Sequence, residues 1–140
     1  MSATIDPAKR AATLPPADHQ GPVTLVNSFV VPAERDGAFE QIWTRTSAYF
    51  RGQPGFIGLR LHRALSPDAT YRYVNVAVWR SSNEFGRAHE ADEFRQLVSD
   101  PAWREFPSSP ALYEVAASYD AVGSSPNASK CPSGSARTKS

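Results

Sequence analysis

Cysteine is nearly absent from this sequence, which has one, Cys131, in 140 residues. A disulfide framework and a thiolate metal site each need several cysteines, so this chain can build neither. Long apolar runs are also missing, since none approaches the ~18 residues that a membrane-spanning helix requires. The N-terminus carries no basic-then-apolar leader pattern. The sequence therefore predicts a soluble cytoplasmic protein with no membrane partner.

Excess charge and phosphate-binding loops are equally scarce. Lys and Arg number 15 against 14 Asp and Glu, which gives a net charge of +1 and provides no basic patch for nucleic acid. No glycine-rich loop follows a predicted strand, so the fingerprints of nucleotide, NAD and flavin sites are missing. We expect no nucleic-acid partner and no such cofactor.

Histidine offers little for a metal site. The three histidines, His19, His62 and His89, have no spacing typical of a zinc site or a facial triad, so we expect no bound metal. We interpret His89, beside Glu90, as a surface residue of the second predicted helix. A role as base or haem ligand is the alternative.

The two ends of the chain differ from its middle. Residues 1–21 are polar and Pro-rich, and residues 121–140 are dominated by Ser, Gly, Pro and Ala. Such compositions bury too little apolar surface to offset the entropy lost on ordering. We predict disordered tails flanking one folded domain, residues 22–120.

Within that domain, strand-like and helix-like hydrophobic periods alternate. Strands are predicted at residues 23–31 (VTLVNSFVV), 56–65 (FIGLRLHRAL), 70–80 (TYRYVNVAVWR) and 112–119 (LYEVAASY). One helix follows the first strand. A second follows the third strand and is broken around residues 90–92. The order βαββαβ is that of an α+β, ferredoxin-like fold, with both helices on one face of an antiparallel sheet. Its first and third strands are central neighbours.

Each central strand carries one asparagine in an apolar run. Strand parity places Asn27 and Asn75 on faces that also bear aromatic residues. A buried amide without a partner costs ~1–3 kcal/mol, so the two need partners or a function. The aromatic residues that could enclose them in a hollow for a flat polycyclic ligand are Phe29, Phe39, Trp43, Phe50, Tyr71, Tyr73, Trp79 and Phe85. The alternative is that these residues simply form the core.

The opposite sheet face is also apolar. Val26, Val74, Val76 and Val78 point to the side that the helices cannot cover. Because a bare patch of this kind is unfavourable in water, we predict a homodimer packed sheet against sheet.

Three stretches, VTLVNSF, TSAYFRGQPGFIGLRLHRAL and YRYVNVAVWRSSNEF, together resemble the antibiotic biosynthesis monooxygenase superfamily. The likeness covers nearly all of residues 22–120. Within the superfamily it is to the cofactor-independent anthrone oxygenases of aromatic polyketide biosynthesis, of the nogalamycin and actinorhodin types. The resemblance implies a dimeric ferredoxin-like α+β barrel with its pocket between sheet and helices. It also implies a small-molecule aromatic polyketide and O₂ as substrates, with no cofactor.

The resemblance further implies catalytic roles for Asn75 and Trp79. It implies one for Asn27 as well, which matches the first-strand asparagine of nogalamycin-type members. The predicted substrate-binding residues are Phe29, Trp43, Phe50, Tyr73 and Phe85. An actinorhodin-type member carries tyrosine where this chain has Phe85, so a phenol cannot act there.

The implied reaction inserts one oxygen atom of O₂ into an anthrone through a substrate carbanion or enolate, giving the quinone and water. Water, the substrate's own phenolate or an amide-positioned relay could accept the proton. The lack of a pocket carboxylate argues against a general base from the protein.

Two other functions stay open. A non-catalytic dimeric subunit could use the same pocket to bind a polyketide or could stabilise a partner enzyme. Haem-degrading relatives share the fold and the first-strand asparagine. They also need a haem-ligating histidine on the helix after the Trp strand, where the register places Val98 in this chain.

Overall fold

The computed structural model describes residues 13–16 and 19–123. The tails predicted at 1–21 and 121–140 fall largely outside this part of the chain. The helices and strands are β1 (Val23–Phe29), α1 (Asp36–Arg51), β2 (Phe56–Arg63), β3 (Tyr73–Trp79), α2 (Ser82–Glu90), α3 (Asp92–Val98) and β4 (Ser108–Tyr113). Short 3₁₀ turns, Ala33–Arg35 and Pro101–Glu105, precede α1 and β4. No helix in the described ranges is long and apolar enough to cross a membrane.

The four strands form one sheet in the order β2-β3-β1-β4. All three neighbouring pairs are antiparallel. The first and third strands in the chain are therefore the central pair, which confirms the predicted ferredoxin-like fold. The predicted break in the second helical segment is also confirmed. α2 ends at Glu90, extended Ala91 follows, and α3 begins at Asp92.

The last strand lies earlier than predicted. β4 runs from Ser108 to Tyr113, whereas the hydrophobic pattern had suggested residues 112–119. Tyr113 pairs with Thr24 near the start of β1. Pro22 precedes that strand, and proline has no N–H to continue a ladder. After Tyr113 the chain therefore runs beyond the first residues of β1, where no strand is left to pair with, and residues 114–120 are exposed.

Two apolar clusters fill the space between the sheet and the helices. One contains buried residues from β1, β3, α1 and α2: Val23, Leu25, Tyr49, Ala77, Trp79, Phe85 and Ala88. The other lies at the opposite end of the sheet and contains Phe29, Val31, Phe39, Ile42, Tyr73 and Phe106. In the strand register, Asn27 and Asn75 face each other between the residues of the two clusters.

A tight turn after α1 fixes the start of α2. Gly55 has a φ of +85°, and a Cβ on it would lie 2.4 Å from the Oε1 atom of Glu84. The Arg80 N–H donates to the Gly55 carbonyl at 2.7 Å. The hydroxyl of Ser81, the N-cap of α2, accepts from the Glu84 N–H at 3.2 Å. This turn holds β2 and α2 side by side.

Candidate active site

The predicted asparagine pair lies at the centre of the sheet. Asn27 of β1 is directly opposite Asn75 of β3, and both strand faces point toward the helices. Tyr73, Asn75, Ala77 and Trp79 are all buried while the intervening β3 residues are less so. Asn75 is 9% exposed. Strand parity therefore placed both amides on the face that the helices cover, where Asn75 is buried and Asn27 is half-buried.

A hollow opens beside Asn75, with about 210 Å³ of free space that includes space open to solvent. Its walls come from the three strands β1, β2 and β3 and from the helices α1 and α2. The lining residues are Leu25, Phe50, Phe56, Leu59, Asn75, Ala77, Trp79 and His89. The lining is mostly apolar with a few polar groups, which is typical of small-molecule sites.

Polar atoms at this site are buried without hydrogen-bond partners. Among the described residues, the buried atoms in this state are Oδ1 of Asn27, Oδ1 of Asn75 and Nε1 of Trp79. They belong to the three residues that the sequence resemblance singled out. Because native proteins satisfy most buried polar groups, these three atoms are available to bond to a ligand or to ordered water.

Trp79 is held rigidly by other rings. Its side chain is 1% exposed. Phe50, Phe56 and Phe85 approach it edge-on, with ring centroids at 5.8, 5.2 and 5.8 Å. The indole N–H can only donate a hydrogen bond. It is therefore a donor fixed in position at an apolar hollow.

The interpretation of His89 as a surface residue is wrong. The imidazole lines the hollow and stacks on Phe85 at 3.9 Å and on Phe50 at 4.9 Å. It also contacts Phe94 at 4.9 Å. Burial among these rings lowers the pKa of His89 to about 4, against a weaker opposing effect of its hydrogen bond to the Phe85 carbonyl. The imidazole is therefore neutral near pH 7.

The structure separates the predicted substrate-binding aromatics into two groups. Phe50 lines the hollow, and buried Phe85 packs behind it against Trp79 and His89. Phe29 and Tyr73 belong instead to the cluster at the other end of the sheet, and Trp43 packs against that cluster. The Tyr73 hydroxyl donates to Glu40 there. Tyr71 lies before β3 and is 42% exposed.

Several lining residues were missed from the sequence. Phe56 and Leu59 come from the edge strand β2, for which we had predicted no pocket role. His89 could have been found from helical spacing, because it lies four residues after Phe85 and therefore on the same helical face. Within the ranges that the structure describes, no three His, Cys, Asp or Glu side chains are grouped to hold a metal ion.

Comparison with known proteins identifies relatives of similar sequence and fold. Residues 22–100 match the model of the antibiotic biosynthesis monooxygenase family. Deoxynogalonate monooxygenase of Streptomyces nogalater is 45% identical over 69 residues, which make up 47% of this chain and 53% of that protein. The alignment thus spans about half the length of that relative.

Two solved structures extend the comparison. SnoaB from Streptomyces nogalater, a cofactor-independent oxygenase, is 32% identical with a TM-score of 0.56, covering 75% of this chain and 100% of SnoaB. A protein from Shewanella loihica is 33% identical with a TM-score of 0.62, covering 71% of this chain and 100% of that one. This chain belongs to the antibiotic biosynthesis monooxygenase family, as the sequence resemblance predicted.

Proposed function

We propose that this protein is a cofactor-independent monooxygenase that oxidises an anthrone-type aromatic polyketide to the quinone with O₂. The observation that carries the proposal is the pair of partnerless polar atoms on Asn75 and Trp79, which line one apolar hollow. A third such atom, on Asn27, lies on the neighbouring strand directly opposite Asn75. The likeness to deoxynogalonate monooxygenase and to SnoaB supports the reaction class.

The substrate itself can supply the electrons for this reaction. Loss of a proton from the anthrone methylene gives an enolate, whose carbanion form can pass an electron to O₂. The protein's task is to favour that anion. Rotation of a side-chain amide by about 180° exchanges the positions of its oxygen and its nitrogen. Asn27 or Asn75 can therefore present an N–H to the enolate oxygen. Such a donor, fixed before the reaction, contributes roughly 2–4 kcal/mol.

Trp79 would orient the substrate and its oxidised intermediate. The indole N–H can donate to a carbonyl or peroxide oxygen, while the surrounding rings keep the donor in place. A rigid donor of this kind adds no reorganisation cost during the reaction.

The hollow must enlarge to admit a tricyclic substrate. Its free space of about 210 Å³ includes space open to solvent, so the enclosed part is far below the ~300–1,000 Å³ of pockets that enclose drug-sized ligands. Phe56 and Leu59 come from β2, the edge strand of the sheet, so this wall can move outward with the least loss of strand pairing.

Purified protein incubated aerobically with a simple anthrone such as dithranol provides the test. Quinone formation should exceed the spontaneous rate without added cofactor. Asn75→Ala and Trp79→Phe should each lower kcat by at least about tenfold, on the scale of losing one oxyanion donor. A wild-type rate equal to that of buffer would refute the oxygenase and favour the non-catalytic binding subunit.

Haem binding is a second candidate, because a possible haem ligand other than the residue at the Val98 position is present in the hollow. Val98 ends α3, whereas His89 lies in the hollow. A porphyrin is larger than a tricyclic anthrone, however, and His89 stacks flat against Phe85. Haem therefore requires a larger rearrangement of the hollow than the anthrone does, and we favour the anthrone. Titration with haemin should leave the Soret band unchanged. A shift that His89→Ala abolishes would establish haem binding instead.

We also propose a homodimer formed through the open sheet face. Val76 lies at the centre of that face, between Val26 and Arg60 in the strand register. The helices occupy the opposite face. Light scattering should give twice the chain mass for wild type. Val76→Lys, which places a charge at the centre of the contact, should give a monomer, and a wild-type monomer would contradict the proposal.

A further inference from the structure

The hollow is lined by one side chain with a nitrogen lone pair that can accept a proton from a ligand. His89 is in the last turn of α2 and lines the hollow together with Asn75 and Trp79. Its ring centroid lies 5.7 Å from that of Trp79. The imidazole is thus placed among the residues that the proposed oxygenase reaction uses.

A hydrogen bond determines which nitrogen can act. Nδ1 of His89 lies 2.7 Å from the carbonyl oxygen of Phe85. A carbonyl oxygen only accepts, so Nδ1 carries the hydrogen, and in the neutral ring Nε2 has the lone pair. His89 makes no other hydrogen bond to the described part of the chain, which leaves Nε2 available to a ligand.

The environment keeps the ring neutral. Phe50 of α1, Phe94 of α3, Trp79 of β3 and Phe85 of α2 surround it. The titratable groups on these elements are directed elsewhere. The Tyr49 hydroxyl of α1 donates to the Ala88 carbonyl at 2.6 Å. The carboxylates near the α2–α3 junction, Glu90, Asp92 and Glu93, are exposed. Burial lowers the pKa of His89 to about 4, so no competing protonation blocks Nε2 near pH 7.

We propose that Nε2 of His89 is the general base that removes the substrate's methylene proton. This inference rests on the proposed oxygenase function. It differs from the expectation that the protein supplies no base, which followed from the lack of a pocket carboxylate.

The proposed steps balance in atoms and electrons. The first C–H bond breaks, its proton goes to Nε2, and its electron pair stays on the substrate as the enolate. The enolate gives one electron to O₂, and the two radicals combine to form a C–O bond. Nε2 then returns its proton to the outer peroxide oxygen.

Loss of water completes the reaction. Nε2 takes the second methylene proton, and the C–H electron pair forms the C=O bond as the O–O bond breaks. The departing hydroxide accepts that proton and leaves as water. One oxygen atom of O₂ is in the quinone, the other is in water, and His89 is neutral again.

Two features offset the weak basicity of a buried imidazole. The developing enolate places a negative charge in the same apolar hollow, which favours the imidazolium form. The C-terminal end of a helix also favours a cation, and His89 lies in the last turn of α2. The ring therefore gains proton affinity as the substrate ionises.

The test compares His89→Gln and His89→Phe with wild type in the dithranol assay. Glutamine keeps a polar group but cannot act as the base, and phenylalanine keeps the ring stacking. Both variants should lower kcat/KM by at least about 100-fold, the lower end for general base catalysis. His62→Gln is the matched control, because His62 is exposed on β2, and should retain the wild-type rate.

The pH profile separates a base from a structural residue. Wild-type kcat/KM should be flat between about pH 5.5 and 8, because the imidazole stays neutral there. In both variants the remaining rate should rise about tenfold per pH unit, as hydroxide replaces the base. Fluorescence quenching by the quinone product should give a Kd within about threefold of wild type.

The outcomes distinguish the two proposals. If wild type does not accelerate quinone formation, the oxygenase proposal fails before any variant is compared. If wild type is active and either variant keeps its rate within about threefold, or keeps the flat pH profile, His89 is not the base. A rate loss explained wholly by weaker product binding would also overturn the assignment.

Discussion

Replacing Asn75 with leucine should make the protein more stable while abolishing its activity. The two side chains have the same branching, so leucine preserves the shape while removing the amide. Oδ1 of Asn75 is buried without a partner, and such an atom costs ~1–3 kcal/mol. The apolar hollow beside it gives the larger leucine methyl groups room. A water molecule that enters the hollow would recover part of this cost, so we expect a gain of about 1 kcal/mol in the free energy of unfolding.

Urea denaturation followed by fluorescence measures this change. Tyr49→Phe provides a contrasting control, because the Tyr49 hydroxyl is buried and donates to Ala88. Its removal leaves the Ala88 carbonyl unpaired and should lower stability by about 1 kcal/mol. If Asn75→Leu is less stable than wild type by more than about 1 kcal/mol, Asn75 is a structural residue and the reasoning is refuted.

Three further predictions concern the indole donor, the buried imidazole and the glycine turn before β2. Trp79→Phe should lower turnover of dithranol by at least about tenfold, because it removes the indole donor together with part of a buried ring that lines the hollow. An unchanged kcat would exclude that donor. The pKa of His89 is lowered from 6.5 to about 4, so the unfolded chain binds a proton that the native protein excludes. Native stability should therefore fall by up to about 3 kcal/mol as the pH drops from 6.5 toward 4, and His89→Phe should remove this part of the slope in urea titrations. Gly55→Ala should lower the free energy of unfolding by ~1–3 kcal/mol or more. The reason is that φ at this position is positive and the new Cβ would overlap the Glu84 side chain. Gly86→Ala in α2, where a Cβ meets nothing within 4 Å, should be neutral or stabilising, and equal effects of the two glycine changes would contradict the role of the turn.

Much of the sheet could be predicted because its signals are local. Alternating apolar residues and the order of elements determine which strands are central, and strand parity then places Asn27 and Asn75 on one face of neighbouring strands. The direct pairing of the two residues depends on the strand register, which the structure supplies. The position of β4 depends instead on where its partner β1 begins. Because the pairing of two distant strands is a tertiary property, it cannot be read from the local pattern. The apolar residues after Tyr113 therefore led us to place the strand too late in the chain.

The aromatic residues illustrate a second limit. Composition places many rings between sheet and helices but does not reveal where packing is complete. Phe39 and Tyr73 stack with centroids 4.5 Å apart and fill one end, whereas Phe50 borders open space at the other. His89 was missed because a single polar residue on a helix looks like a surface residue unless its spacing from Phe85 is considered.

Oxygen labelling most directly tests the claim that the hollow around Asn75 and Trp79 performs monooxygenation. Dithranol is incubated with ¹⁸O₂ and wild-type protein without added cofactor, and the quinone is analysed by mass spectrometry against a buffer control. We predict one labelled oxygen in the new carbonyl, formed faster than in buffer and suppressed in Asn75→Ala. Unlabelled quinone, or labelled quinone formed equally fast by Asn75→Ala, would contradict the proposed oxygenase site.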